Sequence, residues 1–340
     1  MTTSSVVGHK TVSDFLFTSL KHNRLHHAYL LLGPRGTGKS LLVKRFMAYL
    51  FCQSGTACGQ CPGCEQLDHS SHPDVWWLQR AADKQDIAID QVRELQEFIN
   101  LNSLTGGWRV VVIDGAHYLN AESGNALLKS LEEPAAKVLF FLLSDEPKRL
   151  LPTIRSRCFV LQLGSVATAE IEQLARAQGA SARQAQELAR LAGGRPGVAV
   201  RLWQEPESWQ RELNDARLFL ELSAGNGFTD FVKYLEGEIK ESALDQREPR
   251  RRALELVASW RRAARDLICY KLDLPQFAQH ISLEVTLQQG ASRPIFEILQ
   301  LNHLVEQAQA ALMAGAHIRL TLEWVAYAVG IKQSTATRAS

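Results

Sequence analysis

No apolar run in this 340-residue chain approaches the ~20 residues that a membrane-spanning helix needs. The longest, Val138-Leu-Phe-Phe-Leu-Leu143, has the length of a buried strand. Charge of one sign is also lacking. The 38 Lys+Arg against 36 Asp+Glu leave a formal +2, which argues against a chain-wide nucleic-acid coat or an acidic tail. Residues 1–10 carry no basic patch followed by an apolar stretch, so no secretory signal is expected. Without export, the six cysteines are not expected to form a disulfide framework. No internal repeat is found. With 46% hydrophobic and 22% charged residues, the composition is globular. The expectation is a cytoplasmic protein with no membrane partner, of about two or three domains.

Short apolar runs alternate with helical patterns in the first half. Runs at 28–32, 75–78, 109–113, 138–143 and 158–163 lack polar alternation, as strands covered on both faces should. Between them, apolar spacings of three and four predict helices at 40–50, 90–100 (with Asp90 as cap) and 121–132, the last stopping before Pro134. Strand–helix alternation implies a parallel, doubly wound α/β domain over 1–165. Then the chain turns Ala-rich and helical. Ser181 and Gln184 form a capping-box pair, and Gly193-Gly194 ends that helix. A small helical domain is expected at 166–207, an all-helical one at 208–333, and a frayed tail at 334–340.

The segment Gly33, Pro34, Arg35, Gly36, Thr37, Gly38, Lys39, Ser40 fits G-x-x-x-x-G-K-[ST] at every fixed position. Such a loop turns successive N–H groups toward phosphate oxygens. Lys39 reaches the β and γ phosphates, Ser40 can ligate Mg²⁺, and the following helix adds its N-terminal dipole. A strand precedes the loop and a helix follows it, as the chemistry requires. ATP or ADP with Mg²⁺ is the expected ligand. Hydrolysis needs more: a Mg²⁺-holding acid on a neighbouring strand and a group that polarises water. Asp114 ends the strand 109–113 and suits the first role. Many ATPases of this type carry Glu next, but this chain has Gly115, which cannot accept a proton. His117 is a candidate substitute for that base, but three residues on it is expected to point elsewhere, as a surface or capping histidine.

Cys52, Cys58, Cys61 and Cys64 supply thiolates at metal-ligand spacing, with Gly55, Gly59, Pro62 and Gly63 for tight turns. A structural Zn²⁺ is expected. An iron–sulfur cluster also suits the ligand type.

These features, with Arg24-Leu-His-His-Ala-Tyr-Leu30, Ile89-Asp-Gln-Val-Arg93, Asn125-Ala-Leu-Leu-Lys-Ser-Leu-Glu-Glu-Pro134 and Ser156-Arg-Cys158, resemble the bacterial clamp-loader subunits of DNA polymerase III, an AAA+ family. The motif resemblance runs from residue 6 to about 203. It implies an AAA+ domain, a helical lid and a helical collar within a hetero-oligomer of replication. Two branches compete. The motor branch (gamma/tau) hydrolyses ATP and carries Asp-Glu where this chain has Asp114-Gly115. It also carries a phosphate-sensing arginine where this chain has Pro196, one residue after Arg195. Both departures resemble the delta-prime branch, a stator, although the intact phosphate loop fits the motor. The resemblance makes Arg157 an arginine finger acting on a neighbouring subunit's ATP, and Ser144 a phosphate-sensing position. Implied partners are the gamma/tau and delta subunits, and through the complex the sliding clamp and primed DNA. A rival from another class is a zinc-bearing nucleic-acid binder with a vestigial loop. Arg250-Arg-Arg252, Arg261, Arg262 and Arg265 are expected on a solvated helix face, with DNA phosphates as the alternative. His26-His27 precedes a strand without nearby co-ligands, so no metal is expected there, and Trp76-Trp77 is expected to pack on a strand rather than stack bases.

Overall fold

The computed structural model describes residues 6–81, 84–224, 228–238 and 247–336. It forms two compact units, one of residues 1–174 with 194–198, the other of residues 175–193 with 199–340.

The first unit is built on a five-stranded parallel sheet of order β2-β3-β4-β1-β5. Its strands are β1 (Ala28–Leu32), β2 (Val75–Gln79), β3 (Arg109–Asp114), β4 (Val138–Ser144) and β5 (Phe159–Gln162). Around them lie α1 (Lys10–Lys21), α2 (Lys39–Phe51), α3 (Pro62–Asp68), α4 (Ile89–Asn100), α5 (Ala121–Glu132) and the short α6 (Pro152–Arg155), with the start of α7 (Thr168–Ala177). The period of two explains the absence of polar alternation. Leu30, Val111, Ile113, Phe140 and Leu142 face α4 and α5 and pack on Val92, Leu95, Leu127 and Leu131. Tyr29, Leu31, Val110, Val112, Phe141 and Leu143 face the other way, onto Leu16 of α1 and Leu42, Val43, Phe46 and Met47 of α2. Each such fully buried side chain contributes about 1.5–3 kcal/mol of hydrophobic stabilisation.

Register sets the strand ends that matter. Leu32 pairs with Ser144, and Asp114 with Leu143. The carboxyl ends of β1, β3 and β4 therefore finish together, at the edge where open parallel sheets bind ligands.

Two expectations for single residues of this unit need correction. Asp90 is not the cap of α4. The helix begins at Ile89, the Gln91 side chain accepts from the Ala88 amide at 3.1 Å, and Asp90 pairs with Arg93. His117 is buried, as described below. The His26 amide donates to the Tyr29 hydroxyl at 3.0 Å, and its ring accepts from the Ala28 amide at 3.3 Å. Trp76 packs on Phe98 with ring centroids 5.4 Å apart, and the Lys44 ammonium lies over Trp77.

The second unit is helical among its described residues: α8 (Ala182–Ala192), α9 (Pro196–Gln204) from residue 199 onward, α10 (Pro206–Ser223), α11 (Phe228–Glu238), α12 (Arg247–Lys271), α13 (Glu284–Gly290), α14 (Ile295–Met313) and α15 (Ile318–Ala336). Ser181 caps α8 in the expected box with Gln184, and Gly193 closes it in the left-handed region. Of the tail expected at 334–340, residues 337–340 lie outside the described residues. Trp260 of α12 is fully buried between Phe219 and Phe231. Neither expectation for the arginine-rich stretch fits Arg252 and Arg262. Arg252 makes a bidentate pair with buried Asp215, at 2.7 and 2.8 Å, and also donates to the Tyr234 hydroxyl. Arg262 pairs with Glu212 of α10. Arg250 donates to the carbonyls of Leu312, Gly315 and Ala316, capping the end of α14. These guanidiniums close helix contacts rather than face solvent or a phosphate backbone.

Candidate nucleotide site, arginine and cysteine cluster

Loop 33–38 links β1 to α2, where the strand's end meets a helix N-terminus. Gly38 adopts φ 99°, a left-handed conformation that L side chains rarely take, and this turns the chain into α2. The loop is cross-linked by its own side chains. Thr37 Oγ1 donates to the Pro34 carbonyl at 2.9 Å. Lys39 Nζ donates to the Gly33 carbonyl at 2.6 Å and to that of Pro34 at 3.1 Å. Burial lowers the Lys39 pKa from its ordinary value, opposed by the nearby carboxylates of Asp145 and Asp114. Ser40 Oγ donates to Asp114 Oδ2 at 3.0 Å, so the two candidate Mg²⁺ ligands already touch. His9 Nε2 lies 3.0 Å from the Thr37 carbonyl, and the Gly197 amide donates to the Gly36 carbonyl at 2.8 Å. Arg195 lies beside the same loop, its Cβ 3.6 Å from where a Gly36 Cβ would stand.

The strand ends complete the site. Gly115 follows Asp114 at φ 89°, and a Cβ added there would meet Tyr118 Cδ2 at 2.7 Å. A glutamate at this position would have to shift the Tyr118 ring and hold a strained left-handed backbone. His117 follows on a 3₁₀ turn, Ala116–Tyr118, that folds its side chain back under the sheet end. Its Nδ1 is 3.2 Å from Ser144 Oγ. Its Nε2 lies 3.3 Å from Asp145 Oδ1 and 3.8 Å from Glu146 Oε1, without a well-aligned hydrogen bond. Burial holds its pKa below the ordinary value despite those two carboxylates. The expectation of a surface or capping histidine is thus overturned: His117 is buried against Ser144. Sequence spacing had no signal for this, because an uninterrupted strand would have sent the side chain elsewhere.

Arg157 lies apart from this loop cluster, in the turn between α6 and β5. Its Nη2 is ion-paired with Glu132, and its Nη1 donates to the Thr153 carbonyl at 2.9 Å and to Ser156 Oγ at 3.3 Å. The neighbouring Cys158 is buried, and desolvation pushes its thiol up to about 12, so it is unreactive.

Cys52 ends α2, Cys61 starts α3 with Pro62 as the first helical residue, and Cys64 lies one turn inside. With Cys58 from the intervening loop, all four sulfur atoms lie within 4.8 Å of one another. A tetrahedron with bonds of about 2.3 Å has edges near ~3.8 Å, so this donor set fits one metal ion with little movement. Cys52 Sγ accepts from the Cys58 amide and contacts Ser54 Oγ, and these hydrogen bonds lower its pKa.

A parallel sheet with a phosphate loop after β1, an acid ending β3 and a polar residue ending β4 defines an α/β P-loop domain. The family described as "DNA polymerase III, delta subunit" matches residues 8–167. DNA polymerase III subunit delta' of Pseudomonas aeruginosa is 43% identical over 182 residues, 52% of this chain and 55% of that protein. The Escherichia coli K12 subunit delta' is 37% identical over 199 residues, 57% and 59% of the two chains. The tau/gamma subunit of Haemophilus influenzae is 36% identical over 175 residues, covering 51% of this chain and 25% of that one. A solved gamma subunit-related protein of Thermotoga maritima aligns with a TM-score of 0.48 at 14% identity, over 93% of this chain and 98% of that one. The matches thus span little more than half the length of the delta' relatives. Over that segment the chain is similar to the delta' subunits of DNA polymerase III.

Proposed function

We propose that the chain is a delta-prime-type stator of a DNA polymerase III clamp loader. It assembles with gamma/tau-type motor subunits and a delta subunit in the cytoplasm, in a complex that places a sliding clamp on primed DNA. The carrying observation is the strand end Asp114-Gly115. A site with Ser40 and Asp114 in contact and Lys39 folded over the loop carbonyls can hold a magnesium nucleotide. At 115, however, it has no base, and a side chain there would have to shift the Tyr118 ring. His117 does not supply the missing base, because its nitrogens face Ser144 and the carboxylates of Asp145 and Glu146. Arg157 is the residue that acts in chemistry, on the γ-phosphate of a neighbouring motor subunit. A planar, permanently charged guanidinium stabilises the charge that develops on the transferred phosphoryl group. Cys52, Cys58, Cys61 and Cys64 hold a structural Zn²⁺, since four thiolates leave no open coordination position for catalysis.

Steady-state ATP hydrolysis by the purified chain alone, beside a nucleotide-binding titration, tests the reading. Binding without turnover is expected. Turnover that vanishes in Lys39→Ala would make the chain a motor, the reading that its intact phosphate loop favours. In the reconstituted complex, Arg157→Ala should lower hydrolysis by about 10³-fold at the site it completes. Unchanged hydrolysis there would remove the finger assignment.

A further inference from the structure

Within its own chain Arg157 is paired with a carboxylate. Glu132 is the last residue of α5, and Arg157 leaves the α6–β5 turn toward it. A carboxylate at a helix C-terminus is unfavourable, because the unpaired carbonyls there already carry partial negative charge. The guanidinium relieves this, and in return its charge is neutralised. Both partners remain open to solvent, with side chains 34% and 47% exposed. An ion pair this exposed is worth little net and exchanges readily. The other two contacts of the guanidinium are of a different kind. Thr153 and Ser156 offer neutral oxygens from the same turn, and they aim the side chain without changing its charge.

We propose that Glu132 restrains Arg157: its carboxylate neutralises the finger until a more highly charged phosphate of the neighbouring subunit displaces it. The proposal rests on the reading that Arg157 acts in trans. It divides the labour among the three contacts. Thr153 and Ser156 set direction, and Glu132 sets the charge that the finger presents. Glu132 makes no bond in the reaction. It competes with phosphate for the same N–H donors, so finger engagement depends on how closely the neighbouring site approaches.

The test is ATP hydrolysis by the reconstituted complex carrying Glu132→Gln, an isosteric change at an exposed position. The amide keeps a hydrogen-bond acceptor and loses the charge. Hydrolysis without clamp or DNA should rise by about two- to fivefold, the range that loss of an exposed pair yields. The rise should shrink as salt is added, since screening already weakens the pair in the parent chain. It should also be absent from the Glu132→Gln/Arg157→Ala double variant, which should match Arg157→Ala alone. Glu132→Asp should return toward the parent rate. A rate for Glu132→Gln that is unchanged, or lowered toward that of Arg157→Ala, overturns the proposal; the lowered rate would make Glu132 an orienting residue. Failure of the underlying reading looks different: Arg157→Ala itself then has no effect, whatever stands at 132.

Discussion

Asp114 and Gly115 are adjacent residues with opposite consequences. Asp114 ends β3 within reach of Ser40, which is the contact a magnesium site needs. Gly115 turns the chain at φ 89° beneath the Tyr118 ring. Replacing Gly115 by Glu should therefore not create a motor. The backbone would hold an L residue in the left-handed region, and its Cβ would press on Tyr118. The expected cost is about 1–3 kcal/mol of stability, with no gain in turnover by the isolated chain. Denaturant unfolding and steady-state hydrolysis on the same preparation check both parts. A stable Gly115→Glu chain that hydrolyses ATP would show that chemistry lacked only a base. The missing glutamate was legible as a letter in a motif. The conformation that opposes it was not, because φ at 115 depends on how the 3₁₀ turn after β3 packs.

At the scale of elements, α2 and α3 meet at the cysteine cluster, and α2 also carries Lys39 and Ser40. Cys52 and Cys61 lie at facing helix ends, so a metal there would clamp the end of α2 opposite the phosphate loop. Metal analysis of the purified chain should find one zinc per molecule. Cys61→Ser or prolonged chelation should release it and speed amide exchange in residues 52–64, while α5 and β4 stay protected. Absence of stoichiometric metal, with unchanged exchange in Cys61→Ser, would assign the cluster to packing alone. Elements of this kind were the most legible part of the chain. Strong local signals marked them: five uninterrupted apolar runs, glycines at a fixed spacing, cysteines close in sequence. What could not be read was long-range pairing. The Ser144–His117 contact joins residues 27 apart, and the Arg252–Asp215 pair joins residues 37 apart. Arg157 with Glu132 is of the same kind. Arg250, Arg252 and Arg262 were misread for this reason, whereas Arg251, Arg261 and Arg265 are exposed, as a solvated face requires. A charged residue on a helix reads as solvated until a second helix brings a carboxylate to it.

At the scale of the whole molecule, a buried cluster of charge in the helical unit makes stability depend on pH. His280 is fully buried between two carboxylates, its Nδ1 2.8 Å from Asp266 and its Nε2 3.2 Å from Glu212. Asp266 also accepts from the amides of Gln279 and His280, and Glu212 is paired with Arg262. Burial works against charge on both Glu212 and His280, but the hydrogen bonds prevail. Glu212 falls from 4.5 to about 2, held by His280 and Arg262, whereas His280 rises above 6.5, held by Asp266 and Glu212. For Glu212 the folded value lies below the unfolded one. Its contribution is complete above about 4.5 and is lost as pH falls toward 2, on the order of 3 kcal/mol at most. For His280 the folded value lies above the unfolded one. Its contribution is complete below 6.5 and is lost as pH rises through the folded value. Asp215, raised by burial despite Arg252, works against the acid-side loss and softens it. The expected profile for this unit is a maximum between about 4.5 and 6.5 with a decline on each side. Denaturant unfolding across pH, followed by amide exchange in α12, measures it. In His280→Gln the alkaline decline should disappear, because the group that deprotonates is gone. The acid decline should remain but shrink, because Glu212 keeps Arg262 and loses only part of its support. An alkaline decline that survives His280→Gln unchanged would place its origin in another group and leave His280 as a packed but non-titrating ring.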